Sequence, residues 1–181
     1  MHHAGSLVIR SETAGTEDYL AIHSVNREAF GRPDEANLVD SLRTEGVVLA
    51  SLVAELEDCD ELEKSIVGHI LFSRMYIETA TNSVPAVALA PIAVLPKHQR
   101  QGIGGELIRH GLNVLKLRGE QIAIVLGHPD YYPRFGFSSA KAESLESPFP
   151  PKSFMAFELD PGALDGLCGK VRYPAAFGLG R

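Results

Sequence analysis

Residues 94–111 read VLPKHQRQGIGGELIRHG. An apolar run ends in Pro96, a short basic stretch follows, and Gly102, Gly104 and Gly105 precede a helical pattern. The first backbone N–H groups of a helix have no intrahelical partner, and the helix dipole adds partial positive charge there. Glycines remove the Cβ atoms that would hold a bulky anion away. The segment RQGIGG can therefore cradle phosphate on main-chain donors, with Lys97, His98 and Arg100 adding local positive charge. A Gly-rich turn that only lets a strand and a helix pack closely is the competing reading. A P-loop needs Lys-Ser/Thr after its last glycine, which is missing here. A dinucleotide fingerprint needs a glycine where Leu107 stands.

Outward from this turn, VPAVALAPIAVL before it reads as a central strand. Ile103 to Leu117 reads as a helix with Ile103, Leu107, Ile108, Leu112 and Leu115 on one face, ended by Gly119. Ile122 to Leu126 reads as a buried strand. A short helix follows near Asp130 to Phe135, with Asp130 as its cap and Gly136 as its left-handed stop. Upstream, Leu7 to Arg10 reads as a strand and Tyr19 to Phe30 as an amphipathic helix. A second helix, capped by Asp34, runs through Leu42. Val47–Leu56 and Ile66–Tyr76 read as a hairpin with a long polar loop. KAESLESPFPPKS reads as a Pro/Ser-rich loop, FMAFEL as a strand, and the tail as one helical turn with a strand at Val171 to Tyr173. Hairpins early and a strand–helix–strand unit later predict an α/β domain with a mixed sheet flanked by helices.

The 181 residues are expected to form a single domain over 1–181. Apolar residues make up 45% and charged residues 22%, as in soluble globular chains. No run approaches the length of a membrane span, and MHHAGS does not read as a signal peptide, so the expected location is cytoplasmic. A net charge of −6 without a basic stripe argues against a nucleic-acid partner. Cys59 and Cys168 stand outside any metal-ligand spacing; two reduced thiols and no metal are expected. The run Glu55, Glu57, Asp58, Asp60, Glu61 and Glu63 reads as a solvated hairpin tip.

The turn and its strand resemble the GCN5-related N-acetyltransferase family. Its signature, Q/R-x-x-G-x-G/A after a strand x-[ILV]-x-V-x-P, matches APIAVLP followed by Gln99, Gly102 and Gly104. LGHPDYYPRFGF matches a second family pattern, [FY]-Y-x-[KR]-x-G-F, at Tyr131, Tyr132, Arg134, Gly136 and Phe137. Further segments, among them REAFG, SLVAE and FMAFEL, resemble its YhbS-like bacterial group, and the likeness runs from about residue 7 to residue 177. The resemblance implies a mostly antiparallel sheet splayed between its fourth and fifth strands. It implies acetyl-CoA as co-substrate, with the pyrophosphate on the amides of Gln99, Arg100, Gln101, Gly102, Ile103, Gly104 and Gly105. The backbone of Ile92, Ala93 and Val94 would hydrogen-bond the pantetheine arm like an added strand. It makes Tyr132 the proton donor to the departing thiolate, while Tyr131 reads as a core aromatic with a polar tip.

The expected function is acetyl-CoA-dependent transfer to a primary amine of a small molecule or peptide, by a monomer or homodimer. A non-catalytic acyl-CoA sensor, or a transferase for another acyl-CoA, are the alternatives. Glu28, Glu35, His128 and Asp130 are candidates for the base, and a water chain could serve instead.

Overall fold

The computed structural model describes residues 6–57 and 64–179. In chain order the elements are β1 (Ser6–Ser11), α1 (Thr16–Phe30), α2 (Asp34–Thr44), β2 (Val48–Glu57), β3 (Lys64–Glu78), β4 (Ser83–Val94), α3 (Ile103–Leu117), β5 (Ile122–Leu126), β6 (Leu145–Glu146), β7 (Phe154–Glu158) and β8 (Gly169–Arg172). The sheet order is β1-β2-β3-β4-β5-β7, with β8 on β3 and β6 on β8. β4–β5 and β6–β8 are parallel and the other pairs antiparallel. The mixed, mostly antiparallel α/β architecture expected from the sequence is thus the one observed. Among the described residues no helix is long and apolar enough to cross a membrane.

Neighbouring residues of a strand face opposite sides of the sheet. Leu52, Ile70 and Phe72 therefore meet α3, while Val53 and Leu71 meet Ile22 of α1 and Val39 and Leu42 of α2. Being covered on both faces explains why these strands read as near-continuous apolar runs. α3 carries Gly104, Gly105 and Gly111, each costing about 1 kcal/mol of helix propensity. Its buried Leu107, Ile108 and Leu115 contribute about 1.5–3 kcal/mol each, so packing outweighs propensity. Gly111 is required by that packing: a Cβ there would lie 2.2 Å from the Phe72 ring.

Some expectations change. Asp34 is the first residue of α2 rather than its cap; Pro33 stands at the cap position and no side chain caps the helix. Asp130 does not cap the turn after β5: no side-chain cap bond forms there, and its carboxylate is 91% exposed. KAESLESPFPPKS is not all loop, because a 3-10 turn at Ala140–Ala142 reaches into it and Leu145–Glu146 form β6. Its partner is the distant Gly169–Lys170, which local sequence cannot reveal. Glu55 is no solvated tip residue: it is 5% exposed and accepts from Arg10 Nη2 at 2.7 Å. Asp58, Cys59, Asp60, Glu61 and Glu63 lie outside the described residues, and Cys168 is a free, exposed thiol.

A buried polar chain crosses from α1 through β3 to β2. Asn26 Nδ2 donates to Ile22 O at 2.9 Å and to His69 Nδ1 at 3.1 Å. The ring proton of His69 is then on Nε2 and points to Ser51 Oγ at 2.9 Å. Ser51 Oγ donates to Glu12 Oε2 at 2.6 Å, as does Arg43 Nη2 at 2.6 Å. Burial, with the charge of Arg43 as a second cause, pushes the His69 pKa from 6.5 down to about 3. Between those values the unfolded chain binds a proton that the native chain does not, so stability rises with pH and is lost as acid is added. Urea melts at pH 6.5 and pH 5 are expected to show the wild type losing about 1.5 kcal/mol more than His69→Gln. Equal losses would mean that His69 is not held neutral.

Candidate active site

The parallel ladder between β4 and β5 runs Val87↔Ala123, Ala88↔Ile124 and Leu89↔Val125, then stops. β4 continues to Val94, still paired with β3 through Ile92↔Ile70, Ala93↔His69 and Val94↔Gly68. The two strands separate beyond Leu89, and from Ala90 to Val94 the edge of β4 facing β5 has no strand partner among the described residues. Leu95 N–H donates to Val67 O at 2.9 Å. Antiparallel alternation then turns the backbone groups of Ala93 toward β3, and those of Ile92 and Val94 toward the gap. Of the three residues expected to contact the cofactor, Ile92 and Val94 thus turn their main-chain groups into the gap, and Ala93 turns its own to β3. The Val94 carbonyl already accepts from Gln99 Nε2 at 3.0 Å, which ties the turn to the end of its strand.

The turn reverses through two left-handed residues, Arg100 at φ 62° and Gly102 at φ 89°. Alternation of right- and left-handed backbone gathers N–H groups into a concavity suited to an anion. The first intrahelical bond of α3 is Glu106 N–H to Gly102 O at 3.1 Å, and no side chain caps the helix. The N–H groups of Ile103, Gly104 and Gly105 have no intrahelical partner and crown the concavity. Gln101 Nε2 bonds Lys97 O at 3.2 Å, closing the basic stretch into one turn. Apart from its chain neighbours, a Cβ on Gly102 would meet no atom of the described residues within 4 Å, so that glycine answers to its φ and not to crowding.

Across the gap, the chain leaving β5 forms a 3-10 turn at Tyr132–Phe135, with Gly136 left-handed at φ 94°. Tyr132 is 8% exposed, set edge-on to Tyr131 and Phe137 at centroid distances of 5.2 and 5.9 Å. Its ring lies over Gly127, where a Cβ would come within 2.0 Å of it. No sequence pattern announced this need for Gly127, which reads as an ordinary residue after a strand. The Tyr132 hydroxyl has no hydrogen-bond partner among the described residues, and burial pushes its pKa up to about 12. It is a proton-bearing donor at any ordinary pH.

The base candidates are dispersed. Glu35 accepts a 2.5 Å bond from Arg32, which holds its carboxyl below the usual range and unfits it as a base. Glu28 accepts from Ser24 Oγ at 3.2 Å and lines a cavity of about 500 Å³ with His23, Arg27 and Arg32. His128 and Asp130 stand 3.8 Å apart, both exposed, just past β5. β4 itself, SVPAVALAPIAV, carries no ionisable side chain. A larger cavity of about 860 Å³ lies by Glu78 and Lys170–Pro174. Glu78 pairs with Ser83, so this space is at the opposite end of β4 from the glycine turn. Among the described residues no three His, Cys, Asp or Glu are grouped to hold a metal ion.

The acetyltransferase (GNAT) domain family matches residues 10–140. The chain belongs to this family. It is 40% identical over 134 residues to YjhQ of Escherichia coli K12, named an uncharacterized N-acetyltransferase, covering 74% of this chain and 72% of that one. The crystal structure of the GNAT family N-acetyltransferase YhbS from Escherichia coli in complex with CoA superposes with a TM-score of 0.84 at 31% identity, over 99% of this chain and 97% of that one. A GNAT family acetyltransferase from Brucella melitensis in complex with acetyl-CoA gives 0.74 at 33% identity, over 98% and 99%. The GNAT assignment accounts for the split sheet and for the glycine turn that closes one arm of it.

Proposed function

We propose that this GNAT domain moves an acetyl group from acetyl-CoA directly to a primary amine, with both substrates bound at once. The observation that carries the reading is the unpaired edge of β4 running into the anion-suited turn, with the Tyr132 phenol on the other side of the split. The CoA and acetyl-CoA bound by the YhbS and Brucella proteins support the same cofactor here. The pyrophosphate sits on the amides between Gln99 and Gly105. The pantetheine arm adds to β4 at Ile92 and Val94. The Val94 N–H faces the gap and polarises the thioester carbonyl.

The amine nitrogen attacks the carbonyl carbon and the C–S bond breaks. Tyr132 gives its phenolic proton to the leaving thiolate and regains one from solvent. The amine's own proton has water, Glu28 or His128 to go to, since β4 supplies no base. Holding both reactants in the split provides much of the rate. Acetyl-CoA binding followed by calorimetry, with free-thiol release over a panel of small amines and peptides, tests the reading. Saturable binding with amine-dependent thiol release is expected. Absence of binding would overturn it, and binding without turnover on any amine would favour a sensor.

A further inference from the structure

Tyr131 does pack as an aromatic, edge-on to Phe135 at 5.3 Å and beneath the Arg134 guanidinium at 4.6 Å. Its oxygen reaches across to α3. A Cβ built on Gly104 would lie 2.9 Å from Tyr131 Oη, closer than to Ile92 or Val94. Each Cα–Cβ bond of a helix leans toward the N-terminus. An oxygen beside the empty Cβ position of Gly104 therefore stands at the mouth of the first turn of α3, next to its unpartnered N–H groups. The phenol arrives there from the turn after β5, on the far side of the split. It makes no hydrogen bond among the described residues, and burial raises its pKa, so it keeps its proton to donate. Gly104 thus makes room for the phenol of Tyr131, a second demand on a glycine that the sequence pattern ascribes to phosphate alone.

We propose that the Tyr131 hydroxyl is a phosphate ligand of the bound cofactor, donating to a pyrophosphate oxygen at the head of α3 and so fastening the two arms of the split together. This rests on the cofactor reading above. A neutral O–H aimed at an anionic oxygen makes a charge-assisted bond, stronger than one to the neutral amides of the pantetheine arm. Three probes separate the possibilities: CoA, 4′-phosphopantetheine, and pantetheine, which has no phosphate. Calorimetric affinities are measured for wild type and Tyr131→Phe, a change that removes one oxygen with no hydrogen-bond partner among the described residues. The expected result is a loss of about tenfold for CoA and for phosphopantetheine, with pantetheine unchanged. Unchanged CoA affinity would overturn the proposal, and so would an equal loss for all three probes, which marks a scaffold effect. Failure of the underlying cofactor reading is recognised separately, because wild type itself would then not bind CoA.

Discussion

Tyr132→Phe is expected to lower the rate of acetyl transfer at saturating substrates by about 10²-fold or more, while acetyl-CoA affinity stays within about twofold. The substitution removes a single oxygen that bonds nothing among the described residues, so neither folding nor ring packing gives a reason for a loss. The ring is held by Phe137 and Tyr131 and by the missing Cβ of Gly127, and Phe keeps all three contacts. What disappears is the proton that the proposed mechanism gives to the thiolate. A positioned general acid of this kind is worth about 10²–10⁴ in rate. The raised pKa adds a pH signature. An acid must be protonated to act, so an ordinary phenol would impose a falling limb near pH ~10. With its pKa pushed up to about 12, Tyr132 shifts that limb beyond the usual assay range. The wild-type rate is expected to rise as the amine loses its proton and then to level off. A Tyr132→Phe enzyme of wild-type rate would remove Tyr132 from the chemistry.

Gly102→Val is expected to weaken CoA binding by about 10²-fold. Crowding is not the cause, since apart from its chain neighbours nothing among the described residues lies within 4 Å of the new Cβ. A β-branched residue resists φ 89°, at a cost of about 1–2 kcal/mol. The turn then relaxes, the N–H groups gathered on an anion disperse, and the added side chain holds the phosphate away from those that remain. Gly31 supplies the control. It is also left-handed, at φ 67°, with nothing near its Cβ, and it lies at the end of α1. Gly31→Val is expected to cost comparable stability in thermal melts and to leave CoA affinity unchanged. Equal CoA affinity in Gly102→Val and wild type would mean that the turn does not cradle the cofactor.

Both experiments concern residues that are legible in the sequence alone. The 3.6-residue apolar period placed α3 within its observed bounds, and the glycines before it could be read from steric reasoning alone. The split was legible only through family likeness, because an apolar strand looks the same whether its ladder continues or ends at Leu89. Tyr131 shows a further limit. Apolar spacing says that a ring is packed, and it says nothing about where the oxygen at its tip goes. Asp130 erred the other way: the residue type suits a cap, yet the chain turns there through a backbone bond, Tyr131 N–H to His128 O at 3.0 Å. His69 and Ser51 looked like ordinary strand residues, since their partners Asn26 and Glu12 are distant in sequence.

The bare stretch of β4 also has a meaning for the protein with nothing bound along it. Unpaired strand edges invite pairing with other chains, and proteins usually shield them with charge, proline or a covering element. From Ala90 to Val94 this edge carries no charged side chain, and Pro91 is the sole deterrent within it. If acetyl-CoA is the missing neighbour, it serves as a structural component as well as a reagent. By mass action, cofactor at a hundred times its dissociation constant adds about 2.7 kcal/mol to stability. A cell depleted of the cofactor would then hold this protein in its least stable and most adhesive form.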